Sequence, residues 1–301
     1  MTLPSRDTRV TYPDGAVVSE ATVLHVSDSG DGRKIVLLDR TAFHPVDTAW
    51  PDQPSDRGSM SDGVHRWSVP EAVTGGVHEG ELFLGADLPV RTGTEGWVFV
   101  VGHVLEESAP TVGTPVRVEA DPVLRTELSL GHTACHLASL ALDLALRDSW
   151  TKEPPRDGLG SPAFDALAIQ RSRIEPRGSV DTYRIGKSLR RKGFDPSGLD
   201  DLDAVAARVD EALGRWLSQA SDVRIERDAD ELSARRAWSC RLDGTDIRIP
   251  CGGTHVDSLA RLLSVHVDLE RREVEGGLEL VMHTRAVAHE DDRAHSADSI
   301  S

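Results

Sequence analysis

Gly131-His-Thr-Ala-Cys-His136 runs directly into Leu137-Ala-Ser-Leu-Ala-Leu-Asp-Leu-Ala-Leu146, and this largely apolar pattern predicts a long helix over residues 123–147. Residues four positions apart lie on one face of a helix, about 6 Å from each other. His132 and His136 therefore form a pair that can bind one metal ion. Cys135 points away from that face and is expected to be a small buried residue.

A second pair of metal-ligand residue types, Cys251-Gly-Gly-Thr-His255, follows 115 residues after the first. Its two glycines free the backbone to form a tight loop, so that the thiolate and the imidazole can converge. Either pair alone is common on protein surfaces or in cores, but the two together indicate one shared site. A thiolate with imidazoles favours zinc over magnesium or calcium. We predict that Zn2+ is bound by His132, His136, Cys251 and His255.

Hydrophobic patterning indicates an α+β fold with two domains. Short strands separated by glycine-rich turns predict a small β-barrel-like domain over residues 1–118. Its predicted strands cover residues 21–26, 34–38, 96–101 and 114–118.

Residues 119–287 predict an α+β domain that combines the long helix, an antiparallel sheet and the zinc site. An apolar stripe predicts a second helix over residues 201–218, with Asp200 or Asp201 at its start. Strands are predicted at residues 222–226, 238–242, 246–249, 265–269 and 278–282, with a short helix at 258–263. The polar residues 288–301 predict a disordered tail.

Composition is that of an ordinary globular protein, with 39% hydrophobic and 28% charged residues among 301. No stretch approaches the ~18 apolar residues that a membrane helix requires. The first residues contain no apolar signal region, and three unevenly spaced cysteines do not form a disulfide framework. We therefore expect a cytoplasmic protein that does not bind membranes.

Charge is distributed unevenly along the chain, whose net charge is −16. Residues 171–192 contain eight basic and two acidic side chains, so this window could bind a polyanion although the whole chain is acidic. A solvated helix face or an internal network of salt bridges would explain the same composition. The candidate contacts to nucleic-acid phosphates are Arg184, Lys187, Arg190, Arg191 and Lys192.

Four stretches occur in the order found in the AlaX family of freestanding alanyl-tRNA editing proteins. They are Leu38-Asp-Arg-Thr-Ala-Phe-His-Pro45, Gln53-Pro-Ser-Asp-Arg-Gly58, Gly131-His-Thr-Ala-Cys-His136 and Ile249-Pro-Cys-Gly-Gly-Thr-His255. The chain resembles this family over residues 20–285. Paired motifs of the same kind mark the editing domains of alanyl- and threonyl-tRNA synthetases.

The resemblance implies a zinc-dependent hydrolase that cleaves the ester between a wrong amino acid and the terminal ribose of a tRNA, as in seryl- or glycyl-tRNA(Ala). By the same resemblance, Thr41 and Gln53 match family positions that reach the amino-acid side chain, and they are the predicted catalytic-site residues. The implied partner is an aminoacyl-tRNA, and the chain could be a monomer or a homodimer.

One stretch departs from the family pattern. Val46-Asp-Thr-Ala-Trp-Pro-Asp52 replaces a short glycine-rich turn and would border the substrate pocket. Trp50 could narrow that pocket, and Asp47, Thr48 or Asp52 could bind an amine or a hydroxyl, although a plain surface loop is an equal interpretation. A deacylase that acts on threonyl- or fluorothreonyl-tRNA(Thr), the latter as a resistance function, is therefore an alternative.

Two further classes fit parts of the pattern. A zinc peptidase would need a glutamate directly after the first histidine, and Thr133 occupies that position. A non-catalytic, zinc-stabilised RNA-binding module is the other alternative, because sites with four protein ligands are usually structural.

Overall fold

The chain has a mixed α/β fold that is rich in strands and has few helices, as seen in a computed structural model that describes residues 3–289. Its described residues form two compact units. The first contains the chain up to residue 125 together with residues 225–237 and 250–254. The second contains residues 126–224, 238–249 and the described chain from residue 255. Sequence patterning gives a single boundary at 118–119, whereas both units are built from several separate segments.

The first unit contains an eight-stranded antiparallel sheet and a short parallel pair. The pair consists of β1 (Arg9–Val10) and β4 (Arg40–Thr41). The sheet contains β2 (Val18–Asp28), β3 (Lys34–Leu38), β5 (Gly58–Ser61), β6 (Arg66–Val69), β7 (Glu71–His78), β8 (Glu81–Leu84), β9 (Val98–Leu105) and β10 (Pro115–Ala120). Its strand order is β6-β5-β10-β2-β3-β9-β7-β8, and a buried cluster that includes Val36, Leu38, Phe43 and Val101 forms its core.

The predicted strand at residues 34–38 is confirmed by β3, whereas β5 to β8 were not predicted. Glycine and serine hide β5, β6 and β7 from a hydrophobicity pattern, and β8 has only four residues. Gly75 in β7 shows why glycine is there, since a Cβ atom would lie 2.5 Å from a Leu84 methyl and 2.9 Å from the Phe83 carbonyl oxygen of β8.

The second unit contains the long helix and a four-stranded antiparallel sheet with the order β11-β12-β17-β16. The strands are β11 (Ile169–Glu175), β12 (Gly178–Gly186), β16 (Leu262–Val274) and β17 (Gly277–Ala288). The α-helices within residues 3–289 are α1 (Pro122–Ala145), α2 (Phe164–Ala168), α3 (Lys187–Arg191) and α4 (Leu202–Leu217). Helix α4 packs on β16, and the Asp201 side chain caps its start by accepting a hydrogen bond from the backbone N–H of Ala204.

Both long helices are confirmed within a few residues, but the predicted C-terminal sheet is not one sheet. A separate three-stranded sheet has the order β13-β14-β15, from β13 (Val223–Arg227), β14 (Arg236–Leu242) and β15 (Thr245–Pro250). The short helix predicted at 258–263 is wrong, since that stretch contains only a 3-10 turn, Leu259–Arg261, before β16.

The predicted tail, 288–301, falls mainly outside the described residues, and Ala288 is the last residue of β17. Among residues 3–289, no helix is long and apolar enough to cross a membrane.

Candidate metal centre

The four predicted ligands are grouped tightly. The ligand atoms of His132, His136, Cys251 and His255 all lie within 4.8 Å of one another. The three imidazole ring centres are 4.3–5.0 Å apart. Tetrahedral zinc ligands at about 2.0–2.3 Å from the ion lie roughly 3.3–3.8 Å from each other. A decrease of about 1 Å in the largest separation between ligand atoms would therefore bring all four to zinc-binding distances. The cluster could hold a metal ion.

Helix α1 can present its histidine pair because a glycine precedes it. A Cβ atom on Gly131 would lie 2.3 Å from the Glu175 carbonyl oxygen and 2.6 Å from that of Gly178, so only glycine lets the helix approach the β11–β12 turn this closely. Glu127 on the same helix forms an ion pair with Arg177 of that turn. The two contacts fix the turn of helix from which His132 projects.

His136 has the character of a ligand. Its Nε2 atom is buried and has no hydrogen-bond partner among the described residues. Burial also lowers the pKa of His136 to about 4, which keeps the imidazole neutral near pH 7, as metal binding requires. The fully buried indole of Trp238 lies beside it, with 5.2 Å between ring centres. A buried nitrogen without a hydrogen-bond partner is costly unless it binds another group, such as a metal ion. The residues present therefore fit a divalent metal that prefers nitrogen and sulfur ligands.

Cys251 is half-buried at the start of the second motif. Burial, with a smaller contribution from the carboxylates of Asp52 and Asp47, raises the pKa of its thiol to about 12. Its backbone N–H donates to the Arg236 carbonyl oxygen at 3.2 Å. The thiol must lose its proton to bind a metal, and a bound cation supplies the positive charge that favours the thiolate.

Gln53, predicted to contact substrate, is bonded to the ligand-bearing loop. Its side-chain N–H donates to Thr254 Oγ1, and its Oε1 accepts from the Thr254 backbone N–H, each at 2.9 Å. Both residues are buried, with Gln53 1% exposed. These bonds give Gln53 a role in holding residue 254, and its contact with a substrate stays a prediction.

Thr41, the other predicted catalytic-site residue, is fully buried in the first unit. Its hydroxyl lies 2.8 Å from His103 Nε2 and accepts from the Phe43 backbone N–H at 3.0 Å. His103 Nδ1 lies 3.2 Å from the Val36 carbonyl oxygen, so Nδ1 carries the proton and Nε2 accepts from Thr41. The hydroxyl thus has hydrogen-bond partners within this unit, and its contact with a substrate is also a prediction.

The basic window 171–192 is a hairpin followed by a short helix. Arg184 on β12 forms an ion pair with Glu279 at 3.6 Å and donates to the Glu275 carbonyl oxygen. The other four candidate contacts, Lys187, Arg190, Arg191 and Lys192, are exposed on or directly after α3. Within residues 3–289 none of these four has an ion-pair partner, so they are the more available positive charges.

The altered stretch 46–52 is built against β7. Val46 forms a parallel bridge with Val73, and the Asp47 carboxylate accepts hydrogen bonds from the backbone N–H groups of Ala49 and Trp50. The Trp50 side chain is 43% exposed.

Two residues near the cluster were not singled out by sequence reasoning as parts of a site. Thr133 contacts His255, and Trp238 packs beside His136. Thr133 lies inside the first motif, where only its failure to match a peptidase glutamate was noted, and nothing in the sequence links Trp238 to the histidines. Cys135 is buried, as expected, with its thiol 3.6 Å from the Asp181 carboxylate.

No protein-family model matches the chain, and no curated protein is similar enough to identify a relative.

Proposed function

We propose that this chain is a zinc-dependent, freestanding aminoacyl-tRNA deacylase of the AlaX type, which hydrolyses the ester of a mischarged tRNA. The observation that carries the proposal is the cluster of His132, His136, Cys251 and His255 within 4.8 Å, formed by two motifs that occur in that order in AlaX proteins. The proposal includes the finer architecture implied by the resemblance, a β-barrel-like N-terminal domain before an editing domain, and a cytoplasmic location.

The residues of the cluster suit ester hydrolysis. A zinc ion held there would activate a water molecule and polarise the ester carbonyl, each worth several kcal/mol at the transition state. The neutral His136 provides a nitrogen ligand without adding positive charge, and the buried His132 provides a second nitrogen ligand. The ribose oxygen is already a fair leaving group, so the chain need not provide a strong general acid.

The charge distribution supports the proposed substrate class. The exposed side chains of α3 supply positive charge for tRNA phosphates on an otherwise acidic chain. The carboxylates of Asp47 and Asp52 raise the pKa of the Cys251 thiol, and we assign the α-ammonium group of an aminoacyl ester to this acidic stretch. The proposed substrates are seryl- or glycyl-tRNA(Ala), with threonyl- or fluorothreonyl-tRNA(Thr) as the alternative that the altered stretch 46–52 leaves open.

The decisive experiment is deacylation of a panel of charged tRNAs by the zinc-loaded protein. The panel contains seryl-, glycyl- and alanyl-tRNA(Ala), and threonyl-, seryl- and fluorothreonyl-tRNA(Thr). His132→Ala tests the metal centre, and Cys135→Ala is the matched control, because Cys135 lies on the same helix but outside the cluster. We expect selective turnover of one mischarged species, abolished by His132→Ala and retained by Cys135→Ala.

Absence of turnover for every species by a folded, zinc-loaded protein would reject the proposal. Tight tRNA binding without turnover would then identify the non-catalytic, zinc-stabilised RNA-binding module.

A further inference from the structure

Thr133 lies between the two metal-binding histidines of α1 and is fully buried. Its hydroxyl oxygen lies 3.2 Å from His255 Nδ1 and accepts a hydrogen bond from the Val256 backbone N–H at 3.3 Å. One hydroxyl thus contacts both the side chain of a candidate ligand and the backbone directly after it. All three residues belong to the second unit.

The proton in the contact between Thr133 and His255 can be placed in two ways. Either His255 Nδ1 carries the proton and donates to Thr133, or the hydroxyl donates to an unprotonated Nδ1 and the ring proton lies on Nε2. Only the first arrangement leaves Nε2 with a lone pair for a metal ion. In a neutral histidine, the hydrogen bond at one ring nitrogen determines the chemistry of the other.

We propose that Thr133 is a positioning residue that holds His255 in the Nδ1–H tautomer, so that Nε2 is presented as the metal ligand. The Thr133 oxygen has two lone pairs, and the hydrogen bonds from Val256 and His255 use one each. The helical turn that carries His132 and His136 therefore also orients a third ligand. Hydrogen bonds from ligating histidines to partners outside the metal are a general requirement of such sites.

This inference rests on the metal centre of the proposed function and does not depend on the deacylase reaction. It differs from a purely structural role, in which Thr133 would support the backbone of Val256 and leave the protonation of the His255 ring unchanged.

Thr133→Val and Thr133→Ser separate the two roles. Valine has nearly the shape of threonine but has no hydroxyl, whereas serine retains the hydroxyl. The first measurement is zinc affinity by competition with a chromophoric chelator, together with the absorption spectrum of the Co2+-substituted protein. We expect Thr133→Val to weaken zinc binding by about 10- to 100-fold and to alter the Co2+ spectrum, and Thr133→Ser to remain close to wild type in both.

The second measurement is direct. Nitrogen-15 NMR of the metal-free protein at about pH 8.5, where an unperturbed imidazole is neutral, reports the tautomer of His255. We expect Nδ1–H in the wild type and in Thr133→Ser, and a shift toward the Nε2–H form in Thr133→Val. An Nε2–H tautomer in the wild type overturns the proposal even if Thr133→Val does not fold.

Equal zinc affinity of wild type and Thr133→Val also overturns the proposed role of Thr133. Failure of the wild type to bind Zn2+ or Co2+ overturns it as well. Zinc binding that depends on the hydroxyl, in a protein without deacylase activity, would support the inference while rejecting the proposed function.

Discussion

Gln53 has the contacts of a residue that supports the ligand-bearing loop. Its amide forms two reciprocal hydrogen bonds with Thr254, three residues after Cys251. Gln53→Met keeps the length of the side chain but leaves two buried polar groups of Thr254 with fewer partners, each costing about 1–3 kcal/mol. We expect a lower free energy of unfolding and weaker zinc binding, measured by urea titration of the metal-free protein and by chelator competition.

Thr41→Val is the matched control for Gln53→Met. It removes two equally buried hydrogen bonds of the first unit, from the Thr41 hydroxyl to His103 and from the Phe43 backbone N–H to that hydroxyl. Its expected effect is a loss of stability with unchanged zinc affinity. Zinc affinity at the wild-type level in Gln53→Met would show that Gln53 does not support the loop.

Residue types and spacing were sufficient to predict which side chains could bind a metal. In an i, i+4 histidine pair and in a CxxxH loop, the spacing along the chain alone brings the two side chains of each pair close together. The supporting partners could not be predicted in the same way. Gln53 and Thr254 are 201 positions apart, and Thr133 is 122 positions from His255. Such contacts depend on how the chain folds back, and a single sequence contains no periodic signal for them.

At the level of elements, the close approach of α1 to the β11–β12 turn predicts an effect of Gly131→Ala that is opposite to helix propensity. Alanine is favoured over glycine inside a helix by about 1 kcal/mol, so propensity alone predicts that Gly131→Ala stabilises the protein. The Cβ atom would instead lie 2.3 Å from a backbone oxygen that cannot move independently of the hairpin. We expect destabilisation of roughly 1–3 kcal/mol and weaker zinc binding, because His132 is the next residue.

Gly214→Ala in α4 provides the comparison for Gly131→Ala. A Cβ atom there meets nothing within 4 Å, and the residue is exposed, so this variant should gain stability from propensity. Thermal unfolding of both variants measures the contrast. A gain of stability in both would mean that the helix–hairpin approach is looser than described.

Helices and strands were predicted correctly where one hydrophobic period dominates a long stretch, and they were missed where no such period is present. The stripe of α4 buries Val205, Val209, Leu213 and Trp216, and its position follows from the sequence. The sequence allowed either Asp200 or Asp201 as the cap, and the structure shows Asp201. The hairpin β11–β12 carries many charges, with Arg171 and Arg173 exposed on β11, so its alternation does not read as a strand. The basic window was therefore not recognised as a hairpin.

Across the whole molecule, a net charge of −16 opposes binding to a polyanion, so any tRNA contact must be local. The triple variant Lys187→Gln, Arg190→Gln and Arg191→Gln removes three exposed charges of α3. We expect weaker tRNA binding and a salt dependence that is flatter by close to one unit of slope per lost phosphate contact. Filter binding over a series of salt concentrations measures both quantities.

Arg184→Gln is the internal comparison for that variant. Its guanidinium is paired with Glu279, so its loss should change the salt dependence less than the loss of an unpaired α3 charge. Unchanged binding by the triple variant would remove α3 from the proposed tRNA surface.

The discontinuous units show a limit of prediction at this scale. Residues 225–237 and 250–254 belong to the first unit although they lie in the second half of the chain. The strands β13, β14 and β15 cross three of the four boundaries of these segments without a linker. A boundary without a glycine- or proline-rich linker leaves no compositional signal.

The dependence of global stability on pH should reveal a buried acid that is unrelated to the metal centre. Burial raises the pKa of Asp143 to about 9, and its carboxylate accepts a hydrogen bond from the Asp165 backbone N–H at 2.7 Å. The folded protein then keeps a proton that the unfolded chain releases above about pH 4. Stability contributed by this group is therefore complete below about pH 4 and is lost as pH rises toward 9, by up to about 1.4 kcal/mol per pH unit.

Asp143→Asn removes this titration and keeps an oxygen that accepts the Asp165 hydrogen bond. Urea unfolding at several values between about pH 5 and pH 8 should give a stability difference, variant minus wild type, that increases with pH. The shared metal centre contributes equally to both proteins and cancels in the difference. Asp148→Asn is the control, because this carboxylate is 94% exposed and its difference should stay flat. Parallel curves for Asp143→Asn and the wild type would mean that Asp143 is already ionised in the folded protein, held by the backbone N–H groups at the start of α2 rather than by a proton.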